Sequence, residues 1–426
     1  MASVPVIQVL SKADYTEQHL VALPDAQLEQ LPVSSVRVKS TLLALTTNNL
    51  TYARNGHLFG WWDLHPLPSA TPAPFNDATK YGRISAWGFG EVLESNIEDV
   101  PKGTLFYGYL PIGTLPVDLR LKVSDQVKDH FIEISAHRSH LFNMYNRYMI
   151  LPSGEDTNRA ETRTGEAWDA LMLVFAETAY NLNRFVFPWD GSDINPVHPL
   201  GTPELPWSKQ SSSLAKSIII IFAASGKTAL SFAHQLSRRP DKESMRVYGV
   251  TSESSQKFVK ETGFYQGVIL YQDFETASDI IKSAVARGEC EKIVLCDFGA
   301  RGDAAKVWLT LLRASPFCTT TEIIWLGIGG APRPLTHEQI AKAARENAAL
   351  GRIQVNASGM RDAAMSQVGE KRYFDEFLAA WNDFKVHGGV PGLHFTRKSG
   401  MDAIGIAWKE ICDGKMKPDE YLLFEL

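Results

Sequence analysis

SIIIIFAASGKTALSFAHQLSRR, residues 217–239, holds in order a continuous apolar run, a turn of small residues and a segment with apolar positions at helical spacing. Four consecutive isoleucines suit a strand covered on both faces, and the run is too short for a buried helix. The segment from Lys227 reads as the helix that follows at once. At such a junction, Ala223, Ala224, Ser225, Gly226, Lys227 and Thr228 let the backbone approach an anionic pyrophosphate, which the positive helix end favours. The spacing A-x-x-G-x-x-A over 223–229 is a weakened form of the glycine fingerprint, and a turn that merely packs helix on strand has the same composition. Lys227-Thr228 resembles the end of a triphosphatase phosphate loop, but that loop's first glycine is missing, which excludes it.

The pattern continues downstream. Apolar strands RVYGV (246–250), GVILY (267–271), KIVLCD (292–297) and EIIWLGI (322–328) alternate with amphipathic segments at 254–262, 279–288 and 303–314. Strands that are apolar on both sides and joined by helices predict a parallel, doubly wound sheet of the Rossmann type, with Ile353–Ala357 as a sixth strand. After the second strand, where an acid would hold ribose hydroxyls, stands TSESSQK (251–257). Ser252 and Lys257 there supply donors and positive charge for a 2′-phosphate, with Glu253 dissenting; a serine-capped helix start is the simpler reading.

Upstream the rhythm differs. VRVKSTLLALT (36–46), GEVLES (90–95) and TLFYGYLPI (104–112), divided by Gly, Pro and Asn, predict an irregular β-rich unit, and Glu166–Phe185 predicts a long connecting helix. Residues 189–213, rich in Pro, Gly and Ser, read as a surface excursion inserted before the sheet. The expected division is a first domain of 1–160 completed by 361–426, and a Rossmann domain of 161–360.

Composition narrows the function. The 426 residues are 44% hydrophobic and 21% charged with a net charge of −5, which lacks the basic excess of a nucleic-acid binder. The amino-terminal stretch has no signal-like apolar core, and no run approaches membrane-span length, so a cytoplasmic protein without membrane contact is expected. Cys290, Cys296, Cys318 and Cys412 are scattered, without a C-x-x-C pair.

The order of several short motifs resembles the zinc-free quinone oxidoreductase branch of the medium-chain dehydrogenase/reductase superfamily. Thr51-Tyr52-Ala53-Arg54-Asn55-Gly56 is similar to its T-Y-x-R-x-G segment, Phe89-Gly90-Glu91-Val92 and Lys102-Gly103-Thr104-Leu105 to its first-domain glycines and G-D-R-V turn, and Thr178-Ala179-Tyr180 to the T-A-Y of its interdomain helix. Ala223 to Thr228 stand where the family has A-A-G-G-V-G, Asp297-Phe298-Gly299 resembles its D-S-V-G, and Asp413-Gly414-Lys415 its closing x-G-K turn. The resemblance implies a GroES-like catalytic domain beside the Rossmann domain, NADPH held partly by Lys257 and Tyr271, and dimerisation through the Rossmann sheet edge. Departures at Ser225, Thr228, Thr104 and the 189–213 insertion mark a distant offshoot.

Zinc-dependent members hold their metals with cysteines, and none precedes Cys290, so a metal-free site is expected. Such a site suits hydride transfer to an enone or quinone, where conjugation carries the developing charge. Tyr52 is the first candidate to hydrogen-bond or protonate an enolate, with Asn48 and Thr47 behind it. Trp61-Trp62-Asp63-Leu64-His65 offers an aromatic wall or an Asp63/His65 acid–base pair, although tryptophan pairs more often serve packing. His137-Arg138-Ser139-His140 could take an acidic group and otherwise forms an exposed polar turn. Gly327, Gly329 and Gly330 are expected near the nicotinamide carboxamide, or form a tight turn, and Phe298 is expected to belong to the cofactor-binding set. Two alternatives stay open: a non-redox isomerase, lyase or cyclase, and a cofactor-binding protein without turnover. The expected partner is a small, aromatic or conjugated molecule.

Overall fold

The computed structural model describes residues 4–151 and 159–426, so Met1–Ser3 of the amino-terminal stretch lie outside it. In chain order the first part runs β1 (Val6–Ser11), β2 (Gln18–Ala22), β3 (Ser35–Leu45), α1 (Asn48–Phe59), β4 (Tyr81–Gly82), β5 (Ser85–Ser95), β6 (Leu105–Pro111), β7 (Val117–Val123), β8 (His130–Glu133), β9 (Arg147–Met149) and α2 (Arg159–Asn181). A π-helical segment, Leu182–Val186, continues α2. The second part follows with α3 (Lys209–Ser212), β10 (Ser217–Phe222), α4 (Lys227–Ser237), β11 (Met245–Thr251), α5 (Glu253–Glu261), β12 (Gly267–Leu270), α6 (Phe274–Ala286), β13 (Lys292–Asp297) and α7 (Ala304–Ala314). It goes on with β14 (Glu322–Gly327), α8 (His337–Ala349), β15 (Ile353–Gln354), α9 (Ala357–Val368) and α10 (Glu370–Val386), and the chain closes with β16 (His394–Ser399), α11 (Met401–Cys412) and β17 (Glu420–Glu425). The first compact unit comprises 1–171 and 394–426, the second 172–393.

In the second unit the strand order is β12-β11-β10-β13-β14-β15, every pairing parallel. This is the doubly wound Rossmann order, whose sequence reverses between β10 and β13. The isoleucines of β10 alternate between faces: Ile219 and Ile221 pack with Val247, Val294 and Phe232, while Ile218 and Ile220 pack with Leu295, Trp308 and Leu309. Each buried isoleucine contributes about 1.5–3 kcal/mol, so this one strand anchors both helical layers.

Two sequence expectations change here. The return to the first unit comes at 394 rather than 361, because α10 buries Tyr373, Phe377 and Trp381 within the second unit. Residues 189–213 run largely at the surface but are pinned to the unit: the Trp207 indole donates to the Val186 carbonyl at 2.8 Å, and the Lys292 ammonium donates to the Ser213 and Ser211 carbonyls at 2.8 and 3.2 Å around α3, a short helix the composition did not suggest. Gly201, at φ 68°, lies so close to the Gly359 backbone that a Cβ would fall 1.9 Å from its carbonyl carbon.

In the first unit β3-β5-β6-β9-β8-β7 closes on itself through a β3–β7 pairing, β17 and β16 extend from the far half of β3, and β2-β1-β4 forms a separate sheet. Closure removes exposed strand edges. At the seam Arg37 stands opposite Asp118, and its guanidinium donates to both carboxylate oxygens at 2.8 and 2.9 Å. Among the described residues no helix is long and apolar enough to cross a membrane.

Candidate functional site

The turn after β10 is held from several sides. Ala223 adopts a left-handed φ of 56°, a conformation that costs a non-glycine residue about 1–2 kcal/mol. The Ala224 amide donates to the Val250 carbonyl at 3.1 Å, and the Tyr265 hydroxyl donates to the Ala224 carbonyl at 2.8 Å. Gly226 is the N-cap of α4, and no side chain caps that end. A Cβ there would lie 3.1 Å from the Ala223 carbonyl oxygen, tighter than ordinary contact. The helix start therefore keeps its positive end open beside a small-residue turn, an arrangement that attracts anions. Ser225, Lys227 and Thr228 are half-buried on the same turn, and desolvation lowers the Lys227 ammonium to about 7.

The neighbouring strand tips carry the other expected residues. Ser252 stands at the N-cap position of α5 without a side-chain cap bond, its hydroxyl 3.0 Å from that of Ser254, and Glu253 accepts from the Gln272 amide at 3.0 Å. Lys257 is exposed, with Glu261 at 3.8 Å one turn on. Tyr271 hydrogen-bonds to the backbone of Arg301 and Ala223, which ties the β12 tip to the turn. Arg301 was not singled out in the sequence; an exposed arginine after a glycine turn has no pattern that would mark it. Phe298 packs against Phe232 at 6.0 Å. Gly327 and Gly329 are closely approached from inside the protein: a Cβ on Gly327 would meet the Arg352 guanidinium at 1.9 Å, and one on Gly329 the Phe298 carbonyl oxygen at 2.2 Å. The Gly329 contact is with backbone and fits the tight-turn alternative, whereas the Arg352 side chain can swing aside from Gly327.

In the first unit Tyr52 is buried on α1. Its hydroxyl accepts from the Trp87 indole at 2.8 Å and hydrogen-bonds with Tyr145 and Asn48. The Tyr109 and Trp61 rings lie 4.8 and 4.9 Å from the Tyr52 ring. Burial pushes the phenol up to about 12, so it stays a neutral O–H group through the physiological range. Tyr52 and Asn48 thus meet, as their spacing of four on one helix allows. Trp87 and Tyr145, from β5 and the segment before β9, were missed because strand pairing brings them in from far along the chain.

The other first-unit candidates separate. Trp61 and Trp62 are buried packing residues, Asp63 is exposed and His65 is buried, so Asp63 and His65 form no acid–base pair. The expected polar turn at 137–140 is corrected in one residue: His137, Ser139 and His140 are exposed, but Arg138 is 1% exposed. In the second unit a cavity of about 380 Å³ between α4 and α10 lies by Ser231, His234 and Arg238, toward the opposite end of α4 from the turn. Each charged residue of its lining has an ion-pair partner: Arg184 with Asp193 and Glu376, Arg238 with Asp383, and Arg239 with Asp241.

Comparison with known proteins follows the same outline. A family model described as a protein of unknown function, DUF2855, matches residues 43–417. The chain belongs to this family. No curated protein matches the chain. Among solved structures, a mutant enoyl thioester reductase from Candida tropicalis is similar at TM-score 0.54 and 10% identity, covering all of both chains. CurA of Vibrio vulnificus in complex with NADPH is similar at TM-score 0.52 and 12% identity, over 100% of this chain and 99% of that one. The CurK enoyl reductase matches at TM-score 0.52 and 12% identity over 99% of each chain. At these identities the likeness is one of fold, and the DUF2855 chain has the two-domain medium-chain reductase fold.

Proposed function

We propose that the chain is an NADPH-dependent reductase that delivers hydride to an activated C=C bond of a small conjugated molecule. The observation that carries this reading is the uncapped start of α4 behind the 223–226 turn, at the reversal point of a sheet with the Rossmann order. Its residues fit a dinucleotide: backbone N–H groups and a helix end for the pyrophosphate, and Ser252, Lys257 and Tyr271 around the neighbouring strand tips for a 2′-phosphate. Glu253 accepts from the Gln272 amide and keeps its charge, so the donors at the β11 tip act against one exposed carboxylate. The similar CurK and Candida structures are named as enoyl reductases and CurA is in complex with NADPH, which supports the assignment.

When bound, NADPH would supply the hydride. The chain's own part is to hold the acceptor oxygen as charge develops on it. The neutral phenol of Tyr52 donates to that oxygen, with the Asn48 amide as a second donor, and the surrounding rings exclude water, which strengthens both bonds. The quinone-reductase branch, a homodimer and cytoplasmic residence belong to the same proposal. The test is NADPH oxidation followed at 340 nm as an order-of-magnitude-sensitive assay over ~10 enones and quinones. Turnover with NADPH but not NADH is expected; substrate conversion without any nucleotide would replace this reading with the non-redox one.

The acidity of Lys227 adds a second expectation. An anion at the turn favours the charged ammonium, so binding takes up a proton where free Lys227 is partly neutral. Above pH ~7 nucleotide phosphates, with a second pKa near 6, no longer change charge. NADPH affinity should therefore fall from pH 7 to pH 9 by up to about tenfold per unit, and Lys227→Met should flatten that slope. A pH-independent dissociation constant in the native protein would remove Lys227 from the site.

A further inference from the structure

A second cavity, of about 210 Å³, lies wholly within the β-rich unit, where the segment after α1 meets β7, β8 and the 136–138 turn. His65, Arg83 and Arg138 supply its basic lining, and Leu115, Val117 and Leu119 form apolar wall. Arg83 is 2% exposed, and its Nε and Nη2 have no hydrogen-bond partner. Burial alone acts on its acidity, lowering the guanidinium to about 10, so no neighbouring carboxylate compensates it and it remains charged at neutral pH. His65 Nε2 and Arg138 Nε are also buried without partners. Both guanidiniums are near enough to His65 to depress its basicity beyond the effect of burial.

The two acids in the lining are already used. Asp118 is held by the fork of Arg37. Glu133 accepts from the Ser135 and Arg120 amides at 3.1 and 3.3 Å and from the Ser135 hydroxyl, and stands 3.6 Å from the Arg138 guanidinium. Arg37 pairs with Asp118 and with the exposed Glu94, and Arg138 with Glu133, so the guanidinium of the lining left without a carboxylate partner is that of Arg83. An unpaired buried charge costs several kcal/mol, and unmatched buried donors add to that cost. A monoanion relieves both. A dianion would meet Glu133 with an excess negative charge.

We propose that this cavity binds the carboxylate of a small organic acid, with Arg83 as counter-ion, the Arg138 Nε–H as a further donor, and the apolar body of the acid against Leu115, Val117 and Leu119. Ligand pockets of drug size run to ~300–1,000 Å³, so this smaller space limits the occupant to a compact acid. The inference does not rest on the reductase reading, since none of these residues belongs to the proposed cofactor turn.

The test uses the full chain at pH 7.5 and constant ionic strength, with sodium acetate and sodium benzoate as probes and chloride and inorganic phosphate as controls. Expected is a saturable rise in Tm, matched by calorimetric binding, for at least one carboxylate and not for chloride. Arg83→Met should weaken that binding at least tenfold while raising the Tm of the unliganded protein, since it removes an uncompensated buried charge; a merely structural arginine would lower it. NADPH affinity should be unchanged in this variant, which separates the two assignments. Arg83→Gln, a smaller change that removes the charge and keeps an amide donor, should weaken carboxylate binding severalfold and serves if the methionine variant does not fold. No saturable carboxylate effect, equal binding in the folded variants, or tighter binding of phosphate than of either carboxylate would overturn the proposal.

Discussion

Tyr52→Phe should lower the rate of enone reduction about a hundredfold while leaving NADPH affinity unchanged. The phenol is a neutral donor because burial holds it at about 12, and removing one preorganised donor to a developing oxyanion costs about two to three orders of magnitude. Since the raised value keeps Tyr52 protonated, its contribution should be flat from pH 6 to 9, so any bell shape in the profile belongs to another group. The substitution also strips the Trp87 indole of its acceptor, at about 1–3 kcal/mol of stability. Rates are therefore compared well below the Tm of the variant. A phenylalanine enzyme with native kcat/KM would leave Tyr52 as a packing residue of the aromatic cluster.

Gly201→Ala should destabilise the second unit by about 2–5 kcal/mol in urea unfolding. The left-handed backbone costs a residue with a Cβ about 1–2 kcal/mol, and overpacking adds about 1–3 kcal/mol. Here the obstacles are backbone atoms of Gly359 and Met360, the latter with its amide nitrogen 2.3 Å from the added carbon, so no side-chain rotation relieves the clash. The reverse side of the contact is equally close, with a Gly359 Cβ 2.5 Å from the Leu200 carbonyl oxygen. Stability within about 0.5 kcal/mol of the native chain, the range of an indifferent surface change, would mean that 189–213 is loosely attached after all.

That segment shows where sequence reading stops. Periodicity and turn chemistry located β10 to β14 and the helices between them, because a parallel sheet buried on both faces writes continuous apolar runs into the chain. A Pro- and Gly-rich stretch without periodicity carries no comparable sign that Trp207 and Gly201 dock on the core. The helices at 357–386 likewise have an apolar face, but its partner is a tertiary fact, and so the return to the first unit was placed too early.

The candidate site was legible where it is local. Tyr52 and Asn48 share one helix, and the 223–229 turn is contiguous. Arg352 approaches Gly327 from 25 positions on, and buried arginines such as Arg83 and Arg138 look like surface residues in any composition-based reading, since charged side chains are rarely buried.

The proposed NADPH site joins the 223–229 turn to the strand tips beside it, which would select the 2′-phosphate. Fluorescence titration of the purified chain with NADPH and NADH, repeated on Lys257→Ala, tests it most directly. Expected is saturable NADPH binding that weakens about tenfold in the variant, a loss of about 1.4 kcal/mol, with NADH affinity little changed. Absence of binding by either nucleotide would contradict it, and would mean that the uncapped end of α4 packs helix on strand and nothing more.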